Sequence, residues 1–167
     1  MDILWAPWRL KYILEDVALG NNKACIFCSY PQAVHEKDRE NLVVFRGTLA
    51  FIIMNRYPYN TGHIMVAPYR HVGCFQDLTR QELEEISALV KSGINAGQET
   101  LGPGGFNIGI NQGKIAGAGY EEHIHVHIVP RWNGDTNFMP VISDTKVLPE
   151  SLLATYDKIK ERLREDH

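Results

Sequence analysis

Between Glu122 and Arg131 the chain reads His123-Ile124-His125-Val126-His127-Ile128-Val129-Pro130, a histidine at every second position with β-branched residues between them. Successive side chains on a strand point to opposite faces. The alternation therefore puts His123, His125 and His127 on one face and Ile124, Val126 and Ile128 on the other. One face is for packing and the other for chemistry. At about 3.3 Å per residue, alternate histidines sit about 6.6 Å apart at their backbones, near enough for two imidazoles to address one phosphate or one metal. The competing reading is a solvated strand face with a chance cluster. It is the weaker one, because the chain has seven histidines in 167 residues and three of them share this face.

The rest of the chain predicts short strands around one long helix. Leu42 to Arg46 and Leu49 to Asn55 are apolar, β-prone runs joined at Gly47-Thr48, which reads as a hairpin. After the turn-rich Tyr57-Pro58-Tyr59-Asn60-Thr61-Gly62, the run His63 to Ala67 reads as a third strand ended by Pro68. Thr79 with Glu82 three residues on is a capping-box signal, opening a helix with apolar positions Leu83, Ile86, Leu89, Val90 and Ile94. Phe106, Ile108 and Ile110 alternate with Asn107, Gly109 and Asn111 in a fourth strand, and the histidine run makes a fifth. A second helix is expected from Glu150 to about Arg164, with Leu152, Leu153, Tyr156, Ile159 and Leu163 on its apolar side. Hairpin-linked strands with segregated helices imply an antiparallel α+β domain.

With 44% hydrophobic and 22% charged residues over 167 positions, the chain fits one domain with one core. Seventeen basic against twenty acidic residues give a net charge of −3 without a basic stripe, so duplex nucleic acid is not the expected partner. Asp2, Arg9 and Lys11 interrupt the start of the chain and no long apolar run follows, so neither signal peptide nor membrane span is expected. The expected location is the cytoplasm.

In a reducing compartment Cys25-Ile26-Phe27-Cys28 favours metal binding or redox chemistry over a disulfide. The pair has zinc-knuckle spacing, but no second Cys-x-x-Cys exists, so a closed tetrahedral site must recruit two further donors. His71, His35 and one of the triad are the candidates, and Cys74 reads as a small core residue. The redox reading is weaker, because Ser29-Tyr30-Pro31 does not read as the start of a helix that would lower a thiol pKa. Inert buried thiols are the plain alternative.

The stretch Asn111-Gln112-Gly113-Lys114-Ile115-Ala116-Gly117-Ala118-Gly119-Tyr120 carries three glycines, which permit the close backbone approach an anion-binding nest requires. Beside three histidines this suggests backbone N–H groups holding phosphoryl oxygens while an imidazole attacks phosphorus. A long glycine-containing hairpin loop is the alternative.

His-x-His-x-His-x-x-Pro resembles the signature of the histidine triad superfamily of nucleotide hydrolases and transferases. The similarity extends to Asn55, Gly62-His63, Pro68-Tyr69-Arg70-His71, Asn111 with the glycine loop, and Cys25-x-x-Cys28, covering roughly residues 25 to 131. Trp132 to Pro140 and the opening Leu4-Trp5-Ala6-Pro7-Trp8-Arg9 further resemble a bacterial branch acting on diadenosine tetraphosphate, phosphorylases included. The resemblance implies one domain over 1–167, with an N-terminal extension at 1–24 and a C-terminal extension at 132–167. It implies a five-stranded antiparallel sheet with a long central helix and a C-terminal helix, and a homodimer.

What the resemblance implies for the chemistry is that His125 is the nucleophile, forming a nucleotidyl-histidine that an acceptor discharges. His127 would bind the same phosphate and His63 would support it. Asn55 would bind ribose hydroxyls, Ile26, Phe27, Phe51 and Ile53 would line the base pocket, and Asn111, Gly117, Gly119 and Tyr120 would border the phosphates. Phe51 and Ile53 could instead be core, and Asn55 could merely start a turn. Cys25, Cys28, His71 and His123 match a zinc site, which with four protein ligands would be structural. His35 is then a surface residue.

One departure concerns the leaving group. Many family hydrolases carry Gln and then Ser or Thr just before the triad, where this chain has Gly119 and Tyr120. A tyrosine hydroxyl could replace the missing group, and Lys114 and Arg131 could attract an inorganic phosphate acceptor or be solvated surface charges. Three readings follow: a hydrolase or transferase of dinucleoside polyphosphates or of an adenosine phosphoramidate, a metallohydrolase with the triad on a catalytic zinc, and a zinc-stabilised nucleotide-binding module without turnover.

Overall fold

A computed structural model describes residues 25–135 and 150–165. The expected N-terminal extension at 1–24, and the similarity assigned to Leu4-Arg9 and to 136–140, lie outside the described residues. The elements are α1 (Ile26–Gln32), α2 (Asp38–Asn41), β1 (Val43–Arg46), β2 (Ala50–Met54), β3 (Ile64–Pro68), α3 (Arg80–Leu101), β4 (Gly105–Ile110), β5 (Val126–Arg131) and α4 (Leu152–Glu165). All five strands pair antiparallel in one sheet of order β1-β2-β3-β5-β4. The α+β architecture expected from the hairpin spacing is the one observed.

Two elements depart from expectation. Helix α1 starts directly after its N-cap Cys25 and takes in Cys28, with Pro31 in its last turn, where the helix forgoes one i→i−4 hydrogen bond to the Phe27 carbonyl. The triad also does not lie wholly on β5. His123 stands at a bend and His125 just before the strand, in a segment tied to the fold by Ile124 N–H donating to the Val72 carbonyl at 2.7 Å, and only His127 sits within the paired strand.

The long helix starts as its sequence demands. Glu82 N–H donates to Thr79 Oγ1 at 3.2 Å while Thr79 N–H donates to Glu82 Oε2 at 2.8 Å, closing the capping box. Arg70 adds a two-pronged ion pair to the Glu82 carboxylate at 2.9 and 2.7 Å. Three residues on, Glu85 receives the N–H groups of Thr48 and Leu49 at 2.6 and 2.7 Å, so the helix caps the β1–β2 turn. Gly47 suits that turn, since a Cβ there would lie 2.7 Å from the Ala50 carbonyl oxygen and would also displace the Glu85 carboxylate that caps it.

Helix α3 covers the sheet face bearing Ile52, Ile64 and Ile128, where a Cβ on Gly93 would meet Ile64 Cδ1 at 2.8 Å. Each of these isoleucines contributes about 1.5–3 kcal/mol through burial. The buried face of α3 comprises Ile86 and Leu89 with the small residues Gly93, Ala96 and Gly97, which the apolar stripe alone does not reveal. Register then assigns Ile53, Met65 and His127 to the opposite face.

Helix α4 seals the β1 edge. Tyr156 donates its hydroxyl proton to the Val43 carbonyl at 2.8 Å, and Lys160 Nζ donates to the Tyr156 oxygen at 2.7 Å. Leu153, expected inside, is exposed, and Thr155 takes a buried position with its hydroxyl donating to Glu150 and the Ser151 carbonyl. Beside it, buried Asp38 pairs with Arg46 at 2.6 Å, and Arg46 also donates to the carbonyls of Pro31 and Ala33. This network fixes α1 and α2 against β1, and with them the start of the Cys-x-x-Cys segment.

Candidate active site and metal centre

Proton positions in the triad follow from partners that can only accept or only donate. His125 Nδ1 lies 2.8 Å from the His123 carbonyl oxygen, so Nδ1 carries the proton and the lone pair sits on Nε2. Burial holds His125 below the usual imidazole range, against the opposing pull of that carbonyl. It is neutral at pH 7 and offers one nucleophilic nitrogen.

His63 and His127 form a second pair. The backbone N–H of Tyr59 donates to His63 Nδ1 at 3.1 Å, which forces the His63 proton onto Nε2. That Nε2 lies 2.9 Å from His127 Nδ1, so His127 accepts there and, when neutral, carries its own proton on Nε2. His63 is fully buried, and desolvation drives its pKa well below the ordinary value, with nearby His127 and His125 adding to the effect. Tyr59 lies tilted over both rings, with centroids 4.8 Å from His63 and 5.9 Å from His127. The rings of His125 and His127 meet edge to face at 4.7 Å.

His123 serves another site. Its Nε2–H donates to the Pro68 carbonyl at 2.9 Å, which leaves Nδ1 as the lone-pair nitrogen, 3.3 Å from Cys25 Sγ and 3.5 Å from Cys28 Sγ. His71 Nδ1 lies 3.3 Å from Cys28 Sγ. The ligand atoms of Cys25, Cys28, His71 and His123 all fall within 4.8 Å of one another. In a tetrahedral zinc site with bonds of about 2.3 Å to sulfur and 2.0–2.1 Å to nitrogen, sulfur and nitrogen stand about 3.5 Å apart. The observed spacings match that edge, and the two-sulfur, two-nitrogen donor set suits zinc. Burial, ahead of all other causes, pushes the Cys25 thiol up to about 11 and His123 down to about 4. His35 is exposed and stands apart, beside Asp38.

The remaining expected residues fall as follows. Asn55 accepts the Tyr57 N–H at 2.9 Å through Oδ1, an Asx turn that leaves its NH2 end as the remaining donor. Phe51, Ile53 and Phe27 are almost fully buried, whereas Ile26, Asn111, Gly117 and Tyr120 are half-buried and Gly119 is exposed. The glycine loop spends three amides on itself: Ala116 and Ala118 N–H donate to the Gly113 carbonyl, and Gly117 N–H donates to that of Lys114. Gly113 and Gly117 take φ of +82° and +86°, which glycine accommodates. Lys114 is exposed, and Arg131 is held by Asp135 at 2.6 and 2.9 Å and by Asn107 at 2.6 Å.

Two contributors escape sequence reading. Tyr59 acts through its main-chain N–H and Pro68 through its carbonyl, and neither leaves a side-chain signal. A third, Asn60, donates to Pro130 O and Asp135 and so fastens the turn before His63; its place in a turn-rich run is the single hint.

Comparison with known proteins finds relatives in both sequence and fold. An AP-4-A phosphorylase of Mycobacterium tuberculosis is 43% identical over 157 residues, spanning 91% of this chain and 79% of the relative. The adenosine 5'-monophosphoramidase of Schizosaccharomyces pombe is 25% identical over 141 residues, 84% of this chain and 99% of its own length. The crystal structure of a zinc-bound histidine triad family protein from Mycobacterium smegmatis superposes with a TM-score of 0.65 at 24% identity, covering 85% of this chain and 94% of that one. The HIT domain family model matches residues 36–134, and the chain belongs to that family.

Proposed function

We propose that the protein is a nucleotidyl transferase that cleaves dinucleoside polyphosphates, diadenosine tetraphosphate foremost, through a covalent nucleotidyl-His125. The observation that carries the reading is the His125 tautomer: Nδ1–H bonded to a main-chain carbonyl leaves a neutral Nε2 lone pair beside His127. His125 Nε2 forms a bond to the α-phosphorus as the bond from that phosphorus to the bridging oxygen breaks and ATP departs. His127 Nε2–H donates to the phosphoryl group, its proton placed there by His63. An acceptor then attacks the same phosphorus, releases the nucleotide and restores the imidazole.

The acceptor in this reading is inorganic phosphate, supported by the AP-4-A phosphorylase relative. Asn55 would hold ribose through its NH2 end, Ile26, Phe27, Phe51 and Ile53 would border the base, and Asn111, Gly117, Gly119 and Tyr120 would border the polyphosphate. Cys25, Cys28, His71 and His123 would hold zinc, which would clamp α1 to the triad segment and, with four protein ligands, leave no place for a reacting water. The metallohydrolase alternative is disfavoured because the His123 lone pair faces the thiols, away from His125 and His127. A homodimer is supported by β4, an exposed edge strand bearing Ile108. Three free thiols suit a reducing cytoplasm, and no described helix is long and apolar enough to cross a membrane.

Product analysis on diadenosine tetraphosphate, with and without phosphate, tests this reading. ADP plus ATP appearing with phosphate is expected. AMP plus ATP in either buffer would make water the acceptor. No products would reject the substrate and turn attention to phosphoramidates.

A further inference from the structure

The proton on His127 Nε2 is placed by His63, and His63 is held as a donor by the Tyr59 amide. Both bonds depend on where the turn from Tyr59 to His63 sits relative to β5, the strand that carries His127. The turn closes on itself through His63 N–H, which donates to the Asn60 carbonyl at 3.1 Å. What joins it to β5 is the side chain of Asn60. That side chain is buried, and its NH2 group donates to the Pro130 carbonyl at 3.1 Å and to Asp135 Oδ2 at 2.8 Å. A carbonyl and a carboxylate only accept, so the Asn60 amide has one orientation. On the neighbouring residue a Cβ at Gly62, whose φ is +75°, would lie 2.3 Å from Leu101 Cδ1 and 3.3 Å from Pro130 Cγ, so the turn is also pressed against the end of the strand.

The carboxylate of Asp135 is folded back onto this junction. Asp135 N–H donates to the Trp132 carbonyl at 3.2 Å and Gly134 takes a φ of +74°, so Trp132-Asn133-Gly134-Asp135 is a tight turn directly after β5. Its side chain is 8% exposed. Oδ2 accepts from Arg131 Nε at 2.6 Å and Trp132 N–H at 3.1 Å as well as from Asn60, and Oδ1 accepts from Arg131 at 2.9 Å. Arg131 in turn donates to Asn107 of β4 at 2.6 Å. A carboxylate is costly to bury unless donors surround it, and here one of the donors is the amide that anchors the turn. We propose that Asp135, acting through Asn60, is a positioning residue for the His63–His127 pair. It holds the turn where Tyr59 N–H meets His63 Nδ1 and His63 Nε2–H meets His127 Nδ1. Misplacement of catalytic groups by about 1 Å costs up to about 100-fold in rate.

A latch that served stability alone would lower the melting temperature and leave the imidazole protons where they are. The test therefore reads the protons. In nitrogen–proton spectra of labelled histidines, wild-type His63 should show a protonated Nε2 and a bare Nδ1. In Asp135→Ala and in Asn60→Ala the two His63 nitrogen signals should move toward each other as the second tautomer is populated. Steady-state kinetics on diadenosine tetraphosphate with phosphate, well below the melting temperature, should show kcat lowered about 10- to 100-fold in each variant with KM within about twofold. Because Asp135 acts through Asn60, the double variant should fall no further than Asn60→Ala alone. His63 signals unchanged in both variants would overturn the proposal, as would kcat like wild type or a double variant in which the two losses multiply.

If neither variant folds, the wild-type protein still answers. Both side-chain NH2 protons of Asn60, assigned by their contacts to Pro130, should exchange slowly with solvent, and rapid exchange overturns the latch. The inference rests on the reading in which His125 attacks and His127 donates, and one further measurement separates the two. Base-quenched wild-type enzyme should carry the nucleotidyl group on a His125 peptide. Its absence there refutes that reading, whereas an adduct on His125 with His63 signals unmoved in the variants refutes the role of Asp135 alone.

Discussion

His123 has three attachments and each belongs to a different task. Its Nδ1 faces the thiols, its Nε2–H holds the Pro68 carbonyl, and its own carbonyl takes the proton of His125. Side chains at 123 and 125 are thus joined through main chain, and asparagine at 125 would leave a smaller polar side chain in that buried place without the ring nitrogen proposed to attack phosphorus. His125→Asn is therefore expected to lower turnover by about 10,000-fold or more while AMP still binds, as measured by single-turnover kinetics and calorimetry. Retained turnover would move the nucleophile elsewhere. That the histidines would stand together was legible in their alternation because period two is a strong signal. Which nitrogen of each ring is protonated was not legible, because carbonyls and amides of distant residues decide it, as Tyr59 and Pro68 do.

At the scale of elements, the strands and both long helices follow their sequence signals, with ends shifted by a residue or two except at β5, which begins three residues after His123. Thr79 and Glu82 announced α3 because a capping box is purely local. Helix α1 did not announce itself, since a proline within seven residues argues against it and the stabilising groups, Arg46 and Asp38, come from β1 and α2. Leu153 was misjudged for a related reason, as Thr155 finds hydroxyl partners that make its burial favourable. The start of α3 also carries a pH signature. The Arg70 guanidinium holds the Glu82 carboxyl down at about 2, aided by Thr79 and opposed by desolvation. Because the folded value lies below the ordinary 4.5, this carboxylate stabilises the fold above that pH. Its contribution drains away as pH falls from about 4.5 through about 2. Denaturant midpoints measured down that window should decline less steeply in Glu82→Gln, whose neutral side chain has no proton to take up. Parallel declines would remove the assignment.

For the molecule as a whole, the four candidate metal donors come from the start of α1, the segment after β3 and the approach to β5. Such a site closes loops of many residues, so loading it should raise stability more than any one surface pair can. Purified protein should hold about one zinc per chain. Chelation should lower its melting temperature, and Cys25→Ala should melt low with or without chelator. An unchanged melting temperature after zinc removal would end the structural-metal proposal. The sheet frame was readable because its hairpins are sequential, but the metal quartet joins positions up to 98 apart in the chain, and only folding brings Cys25 to His123.

Main-chain groups stand at both ends of the histidine array: an amide at Tyr59 and a carbonyl at His123. Neither titrates in the ordinary pH range. The bookkeeping of hydrogens in this site is consequently written in the backbone, and it is indifferent to which side chain occupies position 59 so long as that residue is not proline, the one amino acid with no amide hydrogen to give. Drift in sequence can restyle the surroundings of the site, whereas a single inserted or deleted residue in the turn from Asn55 to His63 would scramble its hydrogens at once.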